Sequence, residues 1–102
     1  MIWTVSKHNY FGLKVKIKDR DSYFSHDWEN VQLELPSGEI IQNINLKNKS
    51  FWSNTCHELF KSKLNKWLTD NGYTEYPKRH PPKFNVEYIG NQTFKILNQI
   101  NS

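Results

Sequence analysis

Alanine is absent from the sequence, and arginine nearly so, with only Arg20 and Arg79. The first absence goes with an abundance of Asn, Lys and Ile. That bias reads as the imprint of an AT-rich genome and discounts part of the lysine excess as chemistry. The scarcity of Arg weakens any reading that needs forked contacts to phosphate or guanine, because Lys supplies a point charge where Arg supplies a planar fork. One cysteine, Cys56, excludes an internal disulfide and a cysteine-rich zinc site, so a reducing cytoplasm is the expected location. No apolar run approaches the ~18 residues that span a bilayer, so no membrane contact is expected. The opening MIWTVSKHNYFG has no basic region followed by an apolar stretch, which argues against a secretory signal. There is no glycine-rich phosphate loop, no nucleophile elbow and no metal-ligand spacing, and no cofactor is implied.

What is present is aromatic. Phe, Trp and Tyr make up 15% of the chain, enough to argue for a packed core rather than disorder. A length of 102 residues suits one domain, residues 1–102. The charge balance, 14 basic against 10 acidic side chains, gives a formal +4 and permits an anionic partner without requiring one.

Alternation of apolar and polar residues dominates the pattern. Leu13, Val15 and Ile17 alternate with Lys14, Lys16 and Lys18, which predicts a half-buried strand. Val31, Leu33 and Leu35 predict a second strand, returning through Pro36-Ser37-Gly38 into Ile40–Leu46 as a hairpin. Phe84, Val86 and Tyr88 alternate before Gly90-Asn91-Gln92 turns the chain into Phe94–Leu97. Residues 2–6 read as a further strand. One segment has helical period: Cys56, Leu59, Phe60, Leu64, Trp67 and Leu68 share an arc, with Ser50 or Ser53 as cap and Gly72 as stop. This predicts a helix over residues 51–71 docked through Cys56, Phe60, Leu64 and Trp67. The fold class is α+β: a mainly antiparallel sheet of five to six strands, in the order β-β-β-β-α-β-β, with one amphipathic helix on one face.

Three features carry candidate chemistry. Lys14, Lys16 and Lys18 form a row along the predicted strand, extended by Arg20. Such a row reads as a solubilising face or protected sheet edge, or else as a strip that tracks phosphates. Lys61 and Lys66 fall on or near the polar side of the predicted helix. The segment from Tyr73 to Lys83 is rich in Pro and holds the densest cationic stretch, Lys78-Arg79-His80 with Lys83, beside Tyr73 and Tyr76. Cation plus aromatic is what single-stranded nucleic acid requires, charge for phosphate and a π face for a base; the alternative is a solvated loop whose tyrosines pack on the core edge. The acidic segment from Asp19 to Glu29 has no motif spacing and reads as a polar loop. Cys56-His57 resembles a nucleophile pair, but neighbours on a helix point about 100° apart, and Cys56 reads as core.

The leading functional reading is a small basic non-catalytic domain that binds DNA or RNA with little sequence preference. A protein-binding or inhibitory domain of mobile-element or phage type is the alternative, and an RNase-type toxin built on the His and Lys content is the third.

Overall fold

The computed structural model describes residues 1–100. Among the described residues seven strands and two helices follow one another: β1 (Ile2–Lys7), β2 (Phe11–Lys14), α1 (Ile17–Tyr23), β3 (Asn30–Glu34), β4 (Ile40–Asn45), β5 (Glu58–Leu59), α2 (Ser62–Asp70), β6 (Lys83–Gly90) and β7 (Thr93–Ile100). The fold is α+β, as the alternation predicts, but the sheet is larger and mixed. Its strand order is β4-β3-β7-β6-β1-β2-β5.

Three hairpins explain that order. β1 pairs with β2, β3 with β4 and β6 with β7, each antiparallel. The hairpin predicted over residues 30–46 is present, with Leu33 opposite Ile41 and Gly38 at φ 92° in the turn. The β6–β7 turn places Asn91 and Gln92 at φ 52° and 55°, the left-handed pair that a two-residue hairpin turn needs. The last hairpin inserts between the first two. β6 joins β1 antiparallel, and β7 joins β3 in parallel, which makes the sheet mixed.

Directly opposed residues of paired strands share a face. The pairs Leu59–Leu13, Leu13–Val5, Trp3–Phe84, Val86–Ile96, Phe94–Leu33 and Leu33–Ile41 are all buried, and so one apolar face runs across the sheet. Phe24 at the end of α1 stacks on Phe94 at 4.6 Å and meets Phe51 at 5.1 Å. Leu64 and Leu68 of α2 join the same core. The opposite face is covered by Phe60 at Gly12 and is otherwise open around Thr4, Lys14, Lys83, Glu87 and Lys95.

Two expectations are corrected here. The strand predicted through Lys18 stops at Lys14, and Ile17–Tyr23 is a helix. The Arg20 N–H donates to the Lys16 carbonyl and the Phe24 N–H to that of Arg20, so this short ladder replaces the strand. Three alternating apolar residues were too few to specify the strand's length. Secondly, the predicted helix over 51–71 is reduced to Ser62–Asp70, and Cys56 and Phe60 precede it. A polar side chain captures a backbone donor there. Ser53 Oγ accepts from the Cys56 N–H at 3.0 Å, the donor that a longer helix would give to the Trp52 carbonyl. Gly72, at φ 76°, does end the helix, with the Tyr73 N–H bonded to the Leu68 carbonyl and the Gly72 N–H to that of Thr69.

Arg20 fastens the segment so released. It is only 5% exposed; Nη1 donates to the carbonyl oxygens of Phe51 at 3.0 Å and Ser53 at 2.6 Å, and Nε pairs with Asp21 at 3.0 Å. Its guanidinium also lies 5.6 Å from the Trp52 ring. Arg20→Met keeps the aliphatic stem and leaves both carbonyls without their donor. Chemical denaturation should record a loss of about 2–4 kcal/mol. A loss within ~0.5 kcal/mol, the range of ordinary surface changes, would refute the clamp.

Gly12 marks a second tight point. A Cβ there would stand 2.2 Å from the Leu59 carbonyl oxygen and 2.5 Å from Phe60 Cδ1. Gly12→Ala must push β5 away from β2, and a cost of about 1–3 kcal/mol is expected in the same assay.

Candidate functional site

The segment between α2 and β6 is tied at both ends. The Gly72 cap fixes its start, and the Val5 N–H donates to the Pro82 carbonyl at 2.9 Å near its end. Between these ties the chain walls a cleft of about 610 Å³ against Gln99 and Ile100 of β7. That volume falls within the range of small-molecule sites. Tyr73, Tyr76, Arg79, His80 and Lys83 all line it, and Glu75 is its one acidic side chain.

The two tyrosines differ. Tyr73 is committed to the core edge, 5.4 Å from Trp67 and edge-on to Phe84 at 4.9 Å. Tyr76 is half-buried and also packs against the core, but it forms no ring pair among the described residues.

Pro77 to His80 is a turn closed by the His80 N–H donating to the Pro77 carbonyl at 2.9 Å. Arg79 occupies its third position at φ 69°, where glycine is the usual residue. A left-handed arginine costs about 1–2 kcal/mol, and such strain gathers at functional sites. The turn holds Lys78, Arg79 and His80 in solvent. Lys14, Lys78, Arg79 and Lys83 form no ion pair among the described residues.

Lys83 links the cleft to the open face of the sheet. It lies opposite Thr4 of β1, and Thr4 lies opposite Lys14 of β2. Lys83 and Lys14 therefore flank Thr4 on one face, two strand spacings or about 10 Å apart. Glu58 follows Lys14 in this cross-strand row, held by the Ser6 hydroxyl at 2.6 Å.

The remaining cationic candidates do not assemble. Lys16 precedes α1 and Lys18 lies on it, both exposed, so the row Lys14–Lys16–Lys18 is broken by the change from strand to helix. Arg20 is withdrawn from solvent by its carbonyl partners and is not part of that surface. Lys61 Nζ donates to the Asn43 carbonyl at 3.2 Å. Lys66 pairs with Asp70 at 2.9 Å; the hydrogen bond that its ammonium donates to that carboxylate, and then the carboxylate's charge, raise the Lys66 pKa above the usual lysine value. Glu75 carries no local motif that sets it apart; only the fold of the turn reveals it as the carboxylate among these cations.

Comparison with protein-family models, with curated proteins and with solved structures gives no match for this chain. Its reading rests on the geometry alone. No helix among the described residues is long and apolar enough to cross a membrane.

If the turn holds Arg79 against its backbone preference, Arg79→Gly should relieve strain. The variant should melt no lower than the wild type in a thermal scan. A drop of several degrees would show that the Arg79 side chain itself supports the fold.

Proposed function

We propose that the protein is a binding module for single-stranded nucleic acid, of low sequence preference. The observation that carries this reading is the cleft of residues 71–83, where the half-buried Tyr76 lines the wall beside arginine, lysine and histidine side chains that have no ion-pair partners among the described residues. Unpaired cations in a concave site attract phosphates with no cost of breaking a salt bridge, and Tyr76 supplies a surface for one base. Lys83 and Lys14 continue the positive track from the cleft onto the open sheet face, for a further phosphate or two. With two Arg in the chain and one of them buried, readout of duplex base edges is not favoured. The contributors are Lys78, Arg79, His80 and Lys83 with Lys14 and Tyr76. Lys16 and Lys18 add general positive field only.

Fluorescence anisotropy with a labelled oligothymidylate tests the reading. Binding should weaken with salt, with a log–log slope of about −2 to −3 for three to four phosphate contacts. Lys78→Gln combined with Lys83→Gln should flatten that slope by roughly one to two, without altering the melting temperature. Absence of binding at low salt would remove the proposal. It would bring forward a protein-binding role, for which Ile40, Ile89 and Leu97, each 44–45% exposed, offer apolar contacts.

A further inference from the structure

A carboxylate works against phosphate binding, and yet Glu75 stands in the cleft with Arg79, His80 and Lys83. Among the described residues Glu75 makes no ion pair, and it is exposed. The other three histidines lie outside the cleft. His57 Nδ1 contacts the Val15 carbonyl, His26 stacks on Trp52 at 3.6 Å, and His8 faces Phe60 at 6.2 Å. His80 alone shares a concave site with a carboxylate and two cations, and beside it Arg79 is held in a strained conformation. A proton acceptor, a proton donor and fixed positive charge around one bound phosphate are the parts of an acid–base phosphoryl-transfer site.

We infer that this cleft cleaves single-stranded RNA, an extension that rests on the nucleic-acid reading above. The ribose 2′ oxygen attacks the adjacent phosphorus while Glu75 accepts the 2′-hydroxyl proton. The bond from phosphorus to the 5′ oxygen breaks, and imidazolium His80 gives its proton to that departing oxygen. The products are a 2′,3′-cyclic phosphate and a 5′-hydroxyl, and the step consumes no metal, oxidant or water. Exchange with solvent restores both side chains. Arg79 and Lys83 meet the phosphoryl oxygens, whose charge grows in the transition state, and Tyr76 stacks on the neighbouring base to fix the strand. DNA binds the same cleft but has no 2′ nucleophile.

The test uses three labelled oligonucleotides of one sequence, RNA, 2′-O-methyl RNA and DNA, with chelator present. The expected result is binding of all three, cleavage of RNA alone, and new ends that carry cyclic phosphate. Glu75→Gln and His80→Gln should each slow cleavage by about a hundredfold or more, the scale of one acid–base group. Far-UV circular dichroism and melting temperature confirm that these variants are folded. Binding of the 2′-O-methyl strand with no cleavage of RNA overturns the inference and leaves the binding module standing. Cleavage that persists equally in both variants overturns it too, as the mark of a contaminating nuclease. Failure of every strand to bind or be cut removes both readings together.

Discussion

The buried guanidinium of Arg20 is the contact on which much of the rest depends. Two carbonyl oxygens, those of Phe51 and Ser53, converge on one Nη1. A charged donor with little access to water needs such partners, and the carbonyls in turn need a donor once the chain there has left regular structure. The clamp brings Phe51 into the core against Phe24 and holds Trp52 at the core edge. It also leads the chain to β5, where Leu59 pairs with Leu13 and delivers α2 beside β2. Asn65 of α2 then accepts the Phe11 N–H at 2.9 Å, a second tie between helix and sheet.

The sheet order places the candidate site. Because the β6–β7 hairpin inserts between the other two, β6 begins next to β1, and Lys83 comes within two strands of Lys14. The same insertion puts the end of β7 behind the turn that carries Arg79 and His80, so the cleft has a wall. The two faces of the sheet divide the labour. One gathers the aromatic core under both helices and the clamped segment, while the other keeps polar side chains in water. Charges on that open face partly cancel, as where Lys95 lies 3.3 Å from Glu34. The Lys83–Thr4–Lys14 row has no such pairing at Lys83 or Lys14 among the described residues.

Hairpins were the legible part of the fold. Alternation across Val31–Leu35 and Phe84–Tyr88, with turn residues after each, reports directly which side chains face inward, because the strand period is two. The cationic turn was legible as well, since Lys78-Arg79-His80 lies between prolines that restrict its backbone. The helical reading of 51–71 failed where periodicity was right but the Cys56 donor was taken by Ser53. Helix α1 gave no signal, since its IKDRDSY has no apolar stripe and buries only Arg20.

The sequence by itself determined the α+β class, the turn positions and the clustering of positive charge at 78–83, all properties of neighbours along the chain. Tertiary structure alone decided that β7 lies parallel to β3, that Arg20 is a clamp rather than a surface cation, and that Glu75 and His80 share a cleft. Each of these depends on groups far apart in sequence meeting across the core. Local pattern does not encode such meetings, because the energy that selects them comes from burial and hydrogen bonding of the whole assembled sheet.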